Sequence, residues 1–374
     1  MPLPRRARLV AIAVLGVLAL AGAGGTFALQ LRGDSRQPQA QLVFAEFGPK
    51  ADHVFIAPAD DPAQRTLVTT VEHVDGWGLN PAIAPAGVLV AYTVLAPGSR
   101  PQADSPAELW LLDVLKQTKQ RLAGDADLRI APILDRDGKS LVYRVSEPGA
   151  RQSLMRVDLR TGVRRTLVTI ETAFGTFPVG FAADGALVYA SLSVEGTGMF
   201  SVSEGKPPVQ LFRVDQITRD WRLSPDGSAL AFLAPEIVSE RVVHRLQVMR
   251  LDGGRAQPVR AASVEPGAAD QYGAAWTPGG DAITVGREAT PSDRAGAVTL
   301  AVEDGGVTAL AAPARGFDLP LGWSSDGRAL AARSFDGKSA NAPGTETTVV
   351  VSTDGARRPV TGSGEIIVFG WVDV

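Results

Sequence analysis

The stretch Leu223-Ser-Pro-Asp-Gly-Ser-Ala-Leu-Ala-Phe232 decides the fold, because the chain writes this phrase again and again. Its siblings are Leu134-Asp-Arg-Asp-Gly-Lys-Ser-Leu-Val-Tyr143, Phe181-Ala-Ala-Asp-Gly-Ala-Leu-Val-Tyr189, Trp276-Thr-Pro-Gly-Gly-Asp-Ala-Ile-Thr-Val285 and Trp323-Ser-Ser-Asp-Gly-Arg-Ala-Leu-Ala-Ala332. A worn copy reads Ile83-Ala-Pro-Ala-Gly-Val-Leu-Val-Ala-Tyr92. The turn glycines stand at 87, 138, 185, 227, 280 and 327, so the repeat length runs from 42 to 53 residues. Self-similarity at such a period marks a solenoid, propeller or array.

Each unit opens on a short apolar strand that ends at a large residue four places before the turn glycine: Ile83, Leu134, Phe181, Leu223, Trp276 or Trp323. Proline presets φ in the turn, aspartate bonds its own backbone, and glycine takes the left-handed conformation that closes the hairpin. A second strand follows with period-two apolar pairs such as Val90/Tyr92, Leu141/Tyr143 and Leu230/Phe232. A second hairpin ends on Asp-Gly, Gly-Gly or Thr-Gly, as in Leu154–Gly162 and Leu246–Gly254. Four antiparallel strands in about 40–50 residues make one propeller blade. No window sustains a 3.6-residue period, so little helix is expected beyond the N-terminus.

The two ends complement each other. Gly370-Trp371 copies Gly322-Trp323, yet only a first strand fits before Val374. Gln41–Phe47, Asp52–Ala57 and Arg65–Thr70 read as second, third and fourth strands that lack a first. Joining the spare strand to the incomplete unit closes a ring and removes two sheet edges. The expected fold is therefore all-β, a seven-bladed propeller over residues 41–374, with a six-bladed ring as the alternative.

Ahead of it, Arg5, Arg6 and Arg8 precede the uncharged run Leu9 to Leu31, which is long enough to span a bilayer. The positive end stays cytoplasmic and the remainder is directed outward. Residues 1–32 are read as a single transmembrane anchor because the run continues past Ala21-Gly-Ala23; a signal peptide cleaved at that small-residue pattern is the alternative. Residues 33–40 are a polar linker. Both readings place the propeller outside the cytoplasm.

Hydrophobic residues at 45% and charged residues at 21% describe a globular chain, not a disordered one. Net charge is −3, and four arginines within residues 1–33 leave −7 for the rest. A mildly acidic body without a basic stripe excludes nucleic acid as an expected partner. The absence of cysteine removes disulfides, thiolate metal sites and thiol nucleophiles together.

The phrase Ser224-Pro-Asp-Gly-Ser-Ala-Leu-Ala-Phe232 resembles the WD-repeat-like propeller repeat of the TolB-like family. The likeness covers about residues 41–374 and implies a propeller. It implies no single activity, since that repeat serves translocation components, peptidase propeller domains and lone anchored propellers. An α/β domain before the propeller, usual in TolB, and the hydrolase domain a peptidase would need after it are not expected here.

Motifs for chemistry are scarce. Gly322-Trp-Ser-Ser-Asp-Gly327 is one residue too long for a nucleophile elbow. Gly138-Lys-Ser140 and Gly337-Lys-Ser339 lack the first glycine of a phosphate loop. Asp135-Arg-Asp137-Gly138 resembles the opening of a calcium loop, but its remaining ligands are missing. His53, His73 and His244 have no ligand spacing, so no metal and no cofactor are expected. Trp276, Trp323 and Trp371 occupy the repeat column and are read as core, as is Trp221. The residues left for binding lie where the chain enters each first strand: Asp75, Trp77, Arg129, Arg219, Asp220, Asp270, Tyr272, Arg315 and Asp318. The expected role is a membrane-tethered, non-enzymatic platform or sensor that takes a protein partner. Two alternatives stand beside it: a lyase, lactonase or glycosidase built on Asp220, Asp270 and Asp318, and a ligand- or glycan-binding groove flanked by Trp77 and Tyr272.

Overall fold

A computed structural model describes residues 39–82, 87–102, 104–147, 149–252, 255–258, 269–289 and 296–374. The anchor expected over Leu9–Leu31 and the column residue Ile83 lie outside the described residues. Among the described residues every regular element is a strand.

The first three strands, β1 (Ala40–Glu46), β2 (Ala51–Pro58) and β3 (Thr66–Glu72), lie side by side. Blade two holds β4 (Asn80–Pro81), β5 (Leu89–Val94), β6 (Pro106–Asp113) and β7 (Thr118–Asp127); blade three holds β8 (Ile133–Leu134), β9 (Ser140–Glu147), β10 (Arg151–Asp158) and β11 (Arg164–Glu171). Blade four is β12 (Thr176–Phe181), β13 (Leu187–Ser193), β14 (Gly196–Val202) and β15 (Val209–Val214). Blade five is β16 (Arg219–Leu223), β17 (Ala229–Val238), β18 (Arg241–Asp252) and β19 (Arg255–Pro258). Blade six is β20 (Gln271–Trp276), β21 (Ala282–Arg287), β22 (Gly296–Ala301) and β23 (Val307–Ala309); blade seven is β24 (Phe317–Trp323), β25 (Ala329–Phe335), β26 (Glu346–Ser352) and β27 (Arg357–Pro359).

The last strand, β28 (Ile366–Asp373), pairs antiparallel with β1, Leu42 against Trp371, and completes blade one. The backbones of Gln39 and Val374 bond each other in both directions, at 2.9 and 3.2 Å. Seven four-stranded sheets result, with the splice where the two ends of the sequence place it.

The repeated phrase does in space what its residues dictate. Each turn glycine has positive φ: 66° at Gly87, 63° at Gly138, 81° at Gly185, 65° at Gly227, 72° at Gly280 and 68° at Gly327. At the best copy, the Ser224 hydroxyl donates to Asp226 Oδ1 (2.5 Å) and accepts from the Ala229 amide (3.0 Å). Asp135 likewise accepts the Lys139 amide and the Ser140 hydroxyl, so this carboxylate serves the turn.

Two of these glycines differ instructively. A Cβ on Gly185 would meet nothing within 4 Å, whereas one on Gly227 would lie 2.5 Å from the Phe181 carbonyl oxygen of the neighbouring blade. Gly185→Ala is expected to cost about 1 kcal/mol, the left-handed penalty alone, and Gly227→Ala about 2–4 kcal/mol because backbone must also move. Urea unfolding of the two variants checks this; equal losses would contradict the close blade contact.

The core lies between blades. Tyr92, Tyr143 and Tyr189, the period-two residues of three second strands, are 1–2% exposed. The tryptophan column stitches blades together: Trp276 Nε1 donates to the Arg222 carbonyl and Trp371 Nε1 to the Gly322 carbonyl, each at 2.9 Å. Trp323 Nε1 donates to Thr284 Oγ1 (2.8 Å).

Candidate functional site

Each outer strand hands the chain to the next inner strand on one face of the ring, and the hairpins between second and third strands project from that same face. The nine residues expected there separate into distinct roles. Asp75 and Arg315 are exposed. Trp77 packs against Leu95, Ala107 and Leu128 at the joint into blade two. Tyr272 is buried on blade six, 4.7 Å centroid to centroid from Phe317, and burial pushes its hydroxyl up to about 12. Trp77 and Tyr272 therefore belong to separate clusters on non-adjacent blades, and the groove expected between them does not form.

The carboxylates are mostly joint fasteners. Asp318 is 1% exposed, and both its oxygens accept from Arg357, at 2.8 and 2.7 Å. Asp270 Oδ1 accepts the His244 amide (2.5 Å), and the His244 ring nitrogen Nδ1 lies 3.2 Å away. One deeply buried fastener is a residue that sequence reasoning passed over. Asp127 Oδ2 accepts from Arg144 Nη2 (2.6 Å) and Ser146 Oγ (2.5 Å), while Arg129 Nε reaches Oδ1 at 3.3 Å. Burial would raise the Asp127 pKa, but the Ser146 hydroxyl, the Arg144 charge and the Arg129 hydrogen bond together hold it at about 2. Arg144 Nη1 goes on to the Thr176 carbonyl (2.9 Å), where blade four begins.

The histidines are engaged one by one. His73 Nδ1 donates to the Val74 carbonyl (2.8 Å), its Nε2 sits 3.1 Å from Asp52 Oδ1, and both side chains are fully buried. His53 Nδ1 lies 3.0 Å from Thr70 Oγ1. Among the described residues, no group of three or more His, Cys, Asp or Glu is placed to hold a metal ion.

Two further features went unread in the sequence. The first is the hairpin β17–β18, whose strands of 10 and 12 residues make it the longest among the described residues. At its tip Ile237 faces Val242 across the strands, 78% and 61% exposed. The two-residue turn Ser239-Glu240 takes φ of 48° and 64° without any glycine. Such a turn normally carries Asn-Gly, so nothing in this stretch signals a hairpin tip by residue type. Arg241 Nη2 reaches Glu288 (3.2 Å) of the next blade and braces the tip.

The second is the cavity on the ring axis, about 590 Å³, lined by inner strands of all seven blades from Pro81 and Leu134 round to Leu321 and Val368. Of the nine expected residues only Arg129 lines it. Its unforeseen member is Arg222. The place just before the large column residue is Ile133, Gly180, Ala275, Gly322 and Gly370 in other blades, so an arginine there is the signal that sequence comparison within the chain offered. The adjoining bulge puts Asp220 at φ 56°, where blade six uses Gly273 at φ 59°. Asp220 and Arg219 lie 3.7 Å apart on the rim.

No protein-family model and no curated protein matches this sequence. Solved structures do match by fold. TolB from Acinetobacter baumannii is 16% identical, with 97% of this chain and 71% of that one covered at a TM-score of 0.50. An oligogalacturonate lyase in complex with manganese is 15% identical over 87% of this chain and 85% of that one, at 0.54. A prolyl endopeptidase is 13% identical over 88% of this chain and 49% of that one, at 0.56. The shared property is a TolB-like propeller fold.

Proposed function

We propose that this chain is a propeller tethered outside the cytoplasm that binds a protein partner on its entry face. The observation that carries the reading is the Ile237/Val242 pair, two β-branched side chains held in solvent at the tip of a braced, glycine-free hairpin. A strained turn with exposed apolar residues is costly unless something uses it. The fixed roles of Asp318 and Asp270 support a binding reading over an enzymatic one, because a two-carboxylate mechanism needs side chains free to meet substrate. The uncharged run Leu9–Leu31 behind three arginines supports the tether.

A photo-crosslinking amino acid placed at Ile237 or Val242 in the full-length protein in its own cells is expected to give one discrete protein adduct. The same label at Thr161, in an exposed turn on the opposite face, is expected to give none. Adducts at neither tip position, or identical adducts at all three, would refute the reading, as would cleavage of oligogalacturonate by the purified protein. Protease added outside spheroplasts should digest the propeller; protection there would place it in the cytoplasm.

A further inference from the structure

The axial cavity carries a charge opposite to that of the propeller. Among the described residues its charged lining is Arg129, Arg136 and Arg222, with no carboxylate, in a body whose net charge is −7. Two of the three arginines are occupied. Arg129 is paired with Asp127, and Arg136 Nη2 donates to the Phe181 carbonyl (2.9 Å). Arg222 is not so well served. Nη1 donates to the Trp221 carbonyl at 3.1 Å, but Nε is closed off from solvent with no hydrogen-bond partner. Burial draws its pKa below the ordinary guanidinium value, against the opposing pull of Asp220. A guanidinium has five donors in a fixed fork, and leaving Nε unmet away from water is costly.

From this geometry we infer that the axial cavity binds a small molecule with an anionic oxygen head group, carboxylate or phosphate, held by Arg222, and an apolar body. Oxyanions accept two parallel bonds from the two terminal nitrogens of a guanidinium, and among the described residues Arg222 Nη2 has no hydrogen-bond partner. The body would lie against Phe177, Trp221 and Trp276, which line the same space. A volume near 590 Å³ falls in the range of small-ligand pockets, about 300–1,000 Å³. The left-handed Asp220 beside it fits the same picture, since bulges re-aim neighbouring side chains next to sites.

The test is calorimetric titration of the full-length protein in detergent with benzoate, phenyl phosphate and benzyl alcohol, which share a ring and differ in head group. At least one anion is expected to bind with Kd of about 1 mM or tighter. Benzyl alcohol should bind at least tenfold more weakly, and Arg222→Gln should weaken the anion at least tenfold. Which anion binds tighter separates a carboxylate from a phosphate ligand. The inference is overturned if neither anion binds, if benzyl alcohol binds as well, or if Arg222→Gln binds the anion unchanged. Should that variant not fold, wild-type melting decides: the binding anion must raise Tm above sodium chloride of matched ionic strength, and no rise overturns the site.

Discussion

Replacing Asp127 by alanine is expected to lower the unfolding free energy by about 3–5 kcal/mol, the usual loss when one partner of a buried ion pair is removed. Asp127 and Arg144 are 1% and 4% exposed, so the orphaned guanidinium could not recover its hydration without moving. Movement would in turn release the Thr176 carbonyl and the joint between blades three and four. Urea titration at pH 7 measures the loss. The double change Asp127→Leu with Arg144→Met should recover most of it, because the cost comes from the unpaired charge and not from missing attraction.

The pH dependence has a definite sign. Asp127 has its folded-state pKa lowered to about 2, from near 3.8. Its contribution, about 2 kcal/mol, is therefore complete above pH of about 4 and is lost as pH falls toward 2. The gap between wild type and Asp127→Ala should narrow over that window. A gap that stays constant from pH 7 to 2.5 would show that the carboxylate carries no such charge-dependent role.

The second large effect is expected from removing residues 365–374. Without β28, strand β1 becomes an edge, and Leu42, Val43 and Phe44, all fully buried, lose their cover. Phe369 and Val372 also leave the core, at about 1.5–3 kcal/mol for each side chain. Together with the lost Trp371–Gly322 stitch, the deficit approaches the whole stability of a typical domain, about 5–15 kcal/mol. The truncated protein should aggregate or elute as a non-native species in size-exclusion chromatography. Moving residues 365–374 ahead of Gln39 through an Asn-Gly turn should restore the fold, since Gln39 and Val374 are already hydrogen-bonded. Failure of the moved strand to rescue would mean that pairing alone does not account for closure.

How much was legible depended on whether a residue's job is repeated. The turn phrase was readable because six of the seven blades turn the same corner, and the same chemistry recurs at Gly138, Gly227 and Gly327. The composite blade was readable because one end lacks a first strand and the other supplies it. Joint residues were harder. Asp318 looked like a mouth carboxylate, but its Arg357 partner comes from the far edge of the same blade, 39 residues later. Arg222 was hidden inside a copy of the repeat, and only its neighbours around the ring reveal that a large cation stands where other blades place small or apolar residues.

By itself, then, the sequence determined the ring: strand order, turn geometry and the splice all follow from local hydrogen bonding and a repeated two-residue periodicity, and of the two blade counts it left open the structure has seven. The tertiary structure alone decided which charges are spent and which are free. A carboxylate's role depends on what faces it across a blade joint or the ring axis, and such distances are set by how seven sheets pack, not by the residues beside it in the chain.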